Sequence, residues 1–284
     1  MHTPIPSQIV RIIVETPLIK TFKFQIQNIA ECARPGQFIM VWIPGIDEKP
    51  MSLSHIGQAE DNWTIWLTVA RVGKATEILH SLRKGTLVGL RGPLGNGFVV
   101  REDINTLGTE QMKFLVIGGG YGAAALRPLI YSLLEQGKSL SCIIGAPTME
   151  ELLFKSEFEK LSQNEAFEYL TSTEDGSWGY HGTVTQLMQE ELTHQRFQQI
   201  FTCGPELMMK KVYDLACQHK IPIQASLSDR IIKCAIGLCG QCVLDPIGVR
   251  LCVEGPIFSE QELAMIADFG RTTRNKAGAR ISFQ

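Results

Sequence analysis

The sequence predicts a multidomain β plus α/β protein. It would comprise an antiparallel β-barrel, a Rossmann-like parallel α/β domain and a small C-terminal cysteine-rich domain. Three observations in the 284 residues support this division. Short alternating strands fill the first third, strands and helices alternate through the middle, and cysteines cluster near the end. The predicted domain boundaries are 1–101, 102–225 and 226–284.

Residues 1–101 are predicted to form the barrel, because short runs alternate apolar and polar residues between turns rich in Gly and Pro. The predicted strands are QIVRIIVE, TFKFQIQ, GQFIMVWIP, MSLSHIG, WTIWLTVARV and TLVGLRGP. One short helix is predicted at residues 76–82. Gly73 leaves room just before it, so its N-terminus is a candidate anion site, with an ordinary barrel turn as the alternative.

Residues 102–225 are predicted to form a parallel sheet covered by helices. The predicted strands are KFLVIGGG, SLSCIIGA, FEYLTST and QIFTCGP, and the predicted helices are residues 122–136, MEELLFKSEFEKL, VTQLMQEELTH and ELMMKKVYDLACQH. The turns at 118–122 and 203–205 each join a strand to a helix. Both therefore fall at the carboxyl edge of the sheet, where ligands bind in such folds.

Each of these turns has a plain structural alternative. The acidic residue expected about 20 residues after a dinucleotide-binding glycine turn is absent from SLSCIIGAPT. A tight turn without a ligand therefore stays open for 118–122. Cys203, in the second turn, fits either core packing or contact with a bound ring.

Cys234, Cys239, Cys242 and Cys252 follow the spacing Cys-x4-Cys-x2-Cys-x9-Cys. The first three match the plant-type [2Fe-2S] spacing, with a fourth ligand farther along. Glycines between the ligands would let the loop wrap a cluster and point amide groups at its sulfurs. The alternative is structural zinc, although zinc ribbons usually have two Cys-x2-Cys pairs and this segment has one.

Composition argues against several classes of function. The formal net charge is -2 and the pI is near 6.3, so no strongly basic surface suggests nucleic acid. No apolar run approaches the roughly 20 residues of a membrane span, and the N-terminus lacks a secretion-signal pattern. We therefore expect a cytoplasmic protein with no nucleic-acid or membrane partner, whose clustered cysteines bind metal.

Several motifs together resemble a known family. KPMS, VARVGKAT, GPLGNGF, GGGYGAAALRPL, CGPELMM and the C-terminal cysteines stand in the order seen in the ferredoxin-reductase superfamily. More narrowly, the chain resembles the electron-transfer subunits of dihydroorotate dehydrogenase B. The segment CAIGLCGQCVLDPIGVRLCVEGPIF is the most specific part of this resemblance. The resemblance implies an FAD-binding barrel, an NAD(P)-binding α/β domain and a [2Fe-2S] domain.

The resemblance also implies residue roles. Lys49 replaces an arginine that meets the FAD phosphate, which keeps the charge and loses the bidentate fork. Ser52, near the flavin ring, and Cys203, at the nicotinamide site, are the implied catalytic residues. The implied FAD-binding residues are Lys49, Pro50, Met51, Ser52, Val69, Ala70, Arg71, Ala75 and Thr76. The implied nucleotide-binding residues are Gly118, Gly119, Gly120, Gly122, Gly204 and Pro205. The implied cluster ligands are Cys234, Cys239, Cys242 and Cys252.

The implied function is electron transfer in pyrimidine biosynthesis. Electrons from a partner FMN-containing dihydroorotate dehydrogenase would pass through [2Fe-2S] and FAD to NAD⁺, in a heterotetramer with two copies of each subunit. The acidic stretch GAPTMEELLF favours NAD over NADP. The alternatives are a reductase subunit of a cytoplasmic sulfhydrogenase or of an electron-bifurcating transhydrogenase, a stand-alone ferredoxin:NADP reductase, and a non-catalytic zinc module. Cys234 counts against the transhydrogenase, whose first cluster ligand is often Asp.

Overall fold

The structure, a computed structural model, describes residues 3–59, 62–101 and 113–283. The barrel strands are β1 (Ile5–Thr16), β2 (Ile19–Gln25), β3 (Phe38–Ile43), β4 (Asp47–Ala59), β5 (Asn62–Ala70) and β6 (Leu87–Leu94). They close in the order β1-β2-β5-β4-β3-β6, with antiparallel pairing throughout. Helices α1 (Gln27–Ala30) and α2 (Lys74–Ser81) complete this region. The predicted barrel is confirmed, and α2 begins two residues before the predicted helix.

Alternation of side chains determines which residues of each barrel strand lie inside. Leu53 on β4 and Leu67 on β5 are buried in the barrel core. Met51 and Val69 occupy the same inward set and are 8% and 6% exposed. Their neighbour Ser52 therefore lies on the outer face of the barrel, which is where a bound ring would have to lie.

The second sheet contains seven strands. They are β7 (Lys113–Gly119), β8 (Leu140–Ala146), β9 (Phe167–Thr173), β10 (Tyr180–His181), β11 (Phe197–Cys203), β12 (Ile223–Ser226) and β15 (Ile257–Ser259). The helices in this region are α3 (Ala123–Glu135), α4 (Lys155–Leu161), α5 (Val184–His194) and α6 (Glu206–Gln218). The strand order is β10-β9-β8-β7-β11-β12-β15, parallel except for the β12–β15 pair. The order reverses between β7 and β11, which is the position of ligand sites in such sheets.

One predicted helix is only half correct. MEELLFKSEFEKL forms a 3-10 turn at Met149–Glu151 and then α4, with an extended Leu152 between them. Phe154 has φ 60°, a left-handed conformation that no continuous helix allows. Leu152, Leu153 and Phe154 are all buried in the α/β core. Burying three consecutive side chains in one core overrides the helical preference, because successive helix positions face different directions.

The cysteine segment adds small elements to this framework. They are the hairpin of β13 (Val243–Leu244) and β14 (Val249–Arg250), helix α7 (Glu260–Met265), and the hairpin of β16 (Thr272–Arg274) and β17 (Arg280–Ser282). Strand β15 from this segment extends the α/β sheet. The three proposed domain boundaries stay a prediction. Across the described ranges, no helix combines the length and apolar character needed to cross a membrane.

Candidate cofactor sites

The four clustered cysteines interact with one another. The thiol of Cys234 interacts most strongly with Cys239, and that of Cys252 with Cys242, while the charge of Cys234 also acts on Cys252. Cys242 and Cys252 are buried, whereas Cys239 is exposed. Within residues 3–59, 62–101 and 113–283, no three His, Cys, Asp or Glu side chains gather closely enough to hold a single metal ion. Two thiol pairs suit two iron atoms, each taking two thiolates.

The backbone of the cysteine loop supplies hydrogen-bond donors to one sulfur. Ala235 and Gly237 have φ 58° and 77°, and these left-handed residues turn the chain back on itself. The amide of Cys239 donates to the sulfur of Cys234 at 3.4 Å. Burial opposes ionisation of Cys234, but the amides of Ile236 and Cys239 outweigh it and lower the pKa of this thiol to about 6. The loop is therefore built to hold a thiolate, which fits an iron–sulfur cluster.

The predicted flavin segment runs along β4. Ser52 pairs with Phe38 on β3, and Lys49 pairs with Val41. Lys49 forms an ion pair with Asp47. Met51 points into the barrel, so it can contribute only backbone groups to a cofactor on the outer face. Of the predicted residues on this strand, Pro50 and Ser52 remain half-exposed on that outer face.

The next predicted flavin residues lie where β5 leads into α2. Val69 and Ala75 are buried in the barrel core, while Ala70 packs against the α/β core and Arg71 is exposed. The Thr76 hydroxyl accepts from the amide of Gly73 at 3.1 Å and donates to its carbonyl at 2.9 Å. This side chain therefore shapes the helix start. The anion-binding groups left here are the backbone amides of the first turn of α2.

The glycine turn at 118–122 lies beside the turn at 203–205, because Gly118 pairs with Cys203 at the strand-order reversal. A Cβ on Gly122 would lie 2.3 Å from the carbonyl oxygen of Cys203, and one on Gly119 would lie 2.5 Å from Sδ of Met208. These glycines are needed for close packing. Gly120 has φ 53°, and a Cβ there would meet no atom within 4 Å, so this glycine is the one that faces open space.

The other predicted nucleotide residues of these two turns are packed against neighbouring atoms or lead into a helix. Gly118 is also packed, since its Cβ would lie 2.7 Å from Ile144. Gly204 has φ 156° and approaches the backbone of Gly119, while Pro205 precedes α6 and leads into it. The structure thus brings all the predicted nucleotide residues together at one edge of the sheet.

Cys203 is buried, and its sulfur lies 3.7 Å from Oγ of Ser228. Burial raises the pKa of this thiol to about 11, although its hydrogen bond with Ser228 acts in the opposite direction. The thiol is therefore protonated at neutral pH. Nearby, the Tyr121 hydroxyl donates to Asp229 at 2.5 Å and connects the glycine turn to the cysteine segment. Sequence reasoning missed Tyr121, Asp229 and Ser228, because their partners come from different segments.

A buried arginine joins the α/β domain to β4. Arg127 on α3 is 4% exposed and pairs with Glu157 at 2.6 Å. Its Nη1 donates to the carbonyl oxygen of Ser54 at 2.9 Å, and its guanidinium lies 4.6 Å from the centre of the Trp66 ring. The sequence shows this residue only as one arginine in GGGYGAAALRPL, with nothing to mark its role.

The cysteine loop and the flavin strand are neighbours through β3. Phe38 and Met40 belong to the same apolar core as Cys242 and Cys252. In the barrel ladder, Phe38 and Met40 pair with Ser52 and Pro50 of β4. The cysteine loop therefore packs on β3, the strand next to the predicted flavin segment.

Comparisons with known proteins agree with this geometry. The family model for the iron-sulfur cluster binding domain of dihydroorotate dehydrogenase B matches residues 229–264, and that for the oxidoreductase NAD-binding domain matches residues 116–214. A protein from Methanocaldococcus jannaschii, described as a probable dihydroorotate dehydrogenase B (NAD(+)), electron transfer subunit, is 39% identical over 283 residues, covering 100% of both chains. A protein of the same description from Methanothermobacter thermautotrophicus is 39% identical over 283 residues, covering 99% of this chain and 98% of its own.

The fold also matches a solved structure. An NADH-dependent reduced ferredoxin-NADP oxidoreductase, studied for flavin-based electron bifurcation, aligns with a TM-score of 0.77 and 27% identity over 93% of each chain. These findings confirm the predicted fold class and the oxidoreductase function. The matched domains and the reductase fold support the predicted set of FAD, [2Fe-2S] and NAD. Because the relatives match along the whole chain, this protein belongs to the family of dihydroorotate dehydrogenase B electron transfer subunits.

Proposed function

We propose that this chain receives electrons from a separate FMN-containing dihydroorotate dehydrogenase subunit and delivers them to NAD⁺ in the cytoplasm. The proposed assembly contains two copies of each subunit. The observation that carries this proposal is the path through β3, where Phe38 and Met40 join the cysteine core to the strand of Ser52. Sites on two adjacent strands suit an electron conduit.

Separate residues of the chain serve the cluster site and the flavin and nicotinamide sites. When bound, the cluster would supply single electrons, FAD would combine two of them with a proton, and NAD⁺ would accept the resulting hydride. The four cysteine thiolates would hold the cluster, with the Cys239 amide donating to the Cys234 sulfur. Ser52 places a hydroxyl on the outer face of β4 to orient the flavin ring, and Cys203 lines the nicotinamide side as a neutral thiol.

Acidic residues at the sheet edge support NAD rather than NADP. Glu150 and Glu151 follow β8, and Glu174 and Asp175 follow β9; all four are exposed. These strands end at the carboxyl edge, beside the glycine turn. A 2′-phosphate there would meet like charge, because NADP sites instead place Arg or Lys at this position.

A second candidate function follows from the solved-structure comparison. The aligned ferredoxin-NADP oxidoreductase is described for flavin-based electron bifurcation, so the second candidate is an electron-bifurcating reductase subunit. The proposal here differs in the partner subunit and leaves the arrangement of sites unchanged.

Identification of the partner tests the proposal. The tagged chain would be expressed in its own host without oxygen, and co-purifying proteins would be identified by mass spectrometry. We expect an FMN-containing dihydroorotate dehydrogenase subunit in equal amount, with dihydroorotate-dependent reduction of NAD⁺ by the complex. Recovery of hydrogenase or glutamate-synthase-like subunits instead would contradict the dihydroorotate assignment.

A further inference from the structure

Arg91 lies between the barrel and the cysteine loop. Its neighbours Val88 and Leu90 on β6 point into the barrel core, so Arg91 points to the outside. It is nevertheless only 5% exposed, whereas arginines are almost never buried unless paired. Its strand partner Met40 packs in the core of the cysteine segment, which shows what covers this face.

The hydrogen bonds of Arg91 hold its guanidinium in one plane. Nε donates to Oε1 of Glu48 at 3.0 Å, and Nη2 donates to Oε2 at 2.7 Å. This is the bidentate arrangement that fixes orientation as well as distance. Nη2 also donates to the carbonyl oxygen of Cys234 at 3.2 Å. The barrel thus holds, through a hydrogen bond, the peptide group that follows the first of the four cysteines.

That peptide is where the cysteine loop turns. Ala235, the next residue, has φ 58°, which residues other than glycine rarely adopt. The turn brings the amides of Ile236 and Cys239 back to the sulfur of Cys234, while the carbonyl of Cys234 points to Arg91. Arg91 therefore holds the first peptide of the turn that assembles the donors around one sulfur.

The charge of Arg91 also acts toward the cysteine loop. The side chain of Arg91 is 6% exposed, and that of its partner Glu48 is 26% exposed. Water screens the carboxylate more than the guanidinium, and the guanidinium donates the hydrogen bond to the loop. The pair as a whole therefore presents positive charge to the site.

We propose that Arg91 is a positioning residue for the [2Fe-2S] cluster, which orients the Cys234 peptide and raises the reduction potential of the cluster through its charge. One-electron reduction adds a negative charge to the cluster, and a positive group nearby stabilises that added charge. This inference rests on the proposed function in one respect: the four cysteines hold the cluster.

The test uses the purified holoprotein and four variants: Arg91→Gln, Arg91→Lys, Glu48→Gln and the control Arg83→Gln, which removes an exposed arginine elsewhere on the barrel. Iron and sulfide per chain are measured, and the cluster is titrated by electron paramagnetic resonance. We expect Arg91→Gln to lower the midpoint potential and change the g values. Glu48→Gln should raise the midpoint potential. Arg91→Lys should keep a midpoint potential close to that of the wild type but change the g values. Arg83→Gln should match the wild type in both quantities.

Equal potentials and g values in the wild type, Arg91→Gln and Glu48→Gln would overturn the proposal. If Arg91→Gln fails to fold, Glu48→Gln still decides, because it keeps the contact between Arg91 and Cys234 and the proposal requires its potential to rise. A wild-type chain that binds no iron and sulfide would overturn the proposed function and this inference together. Normal cluster loading with unshifted potentials would overturn this inference alone.

Discussion

Among the contacts that join the barrel to the rest of the described chain, two junctions that each centre on a buried arginine are built alike. At the cluster junction, Arg91 pairs with Glu48 of its own domain and donates to the carbonyl of Cys234 across the boundary. At the nucleotide junction, Arg127 pairs with Glu157 of its own domain and donates to the carbonyl of Ser54 across the boundary. Both arginines are buried.

The two junctions differ in what lies at the far end of the arginine. Arg91 holds the peptide of a predicted cluster ligand. Arg127 holds a strand of the flavin barrel and also stacks on aromatic rings, with its guanidinium 4.6 Å from Trp66 and 5.2 Å from Phe154. We therefore expect the first arginine to act on the cysteine loop and the second to act on the packing of the barrel against the α/β region. The role of each arginine can be tested separately by substitution.

Loss of a cluster ligand should have the largest effect, and it should be confined to the cluster junction. Cys239→Ser is expected to abolish the [2Fe-2S] signal in electron paramagnetic resonance, because one iron loses a thiolate. Reduction of the flavin by NADH should continue, since the nucleotide junction is unchanged. Cys32→Ser, at an exposed cysteine outside the loop, is the control. An undiminished signal in Cys239→Ser would remove Cys239 from the ligand set.

Loss of the arginine at the nucleotide junction should have the next largest effect. Arg127→Met leaves the carbonyl of Ser54 and part of Glu157 without their partner, which should lower the free energy of unfolding by about 3 kcal/mol. Denaturant unfolding measures this change, with Arg83→Met as the exposed control. Hydride transfer from NADH should also slow, while the cluster signal keeps its g values. Altered g values would contradict the separation of the two junctions.

Acid should weaken the nucleotide junction through His55, which lies 4.4 Å from Trp66 between ring centres. Burial, followed by the charges of Arg127 and Lys23, lowers the pKa of His55 from 6.5 to about 4. Between these pH values the unfolded chain binds a proton that the folded chain does not, so stability falls as pH falls. The expected loss is about 2 kcal/mol, after a discount for partial exposure.

His55→Gln tests this prediction, since the amide does not titrate. Its free energy of unfolding, measured by denaturant at several pH values, should fall less than that of the wild type between pH 6.5 and 4. Parallel curves for the two proteins would show that His55 titrates normally in the folded chain.

The smallest expected effect is kinetic. Ser52→Ala should slow hydride transfer from NADH to the flavin about tenfold, the rate change that corresponds to about 1.4 kcal/mol, the net value of one hydrogen bond. Retention of FAD should change less, because the backbone of β4 stays in place. Stopped-flow absorbance and flavin content measure the two quantities. Equal flavin loss with no change in rate would contradict the role proposed for Ser52.

The sequence predicted the parts of these sites that depend on local spacing. The four cysteines lie within 19 consecutive residues, and the strands, α2 and the two nucleotide turns follow from periodicity and glycine placement. The roles of the two arginines could not be predicted because their partners are distant in the sequence. Arg91 and Cys234 are 143 positions apart, and Arg127 and Ser54 are 73 positions apart. MEELLFKSEFEKL was misassigned for a related reason, since the α/β core decided the backbone at Phe154.

In the proposed function, electrons enter through the cysteine loop and leave at the glycine turn. The decisive experiment is stopped-flow absorbance of the anaerobic complex with its partner, with Cys239→Ser beside the wild type. We expect dihydroorotate to bleach the FAD of the wild-type chain rapidly and that of the variant at least a hundredfold more slowly, and we expect NADH to bleach the FAD of both. Equally fast bleaching by dihydroorotate in both proteins would rule out electron entry through the cysteine loop.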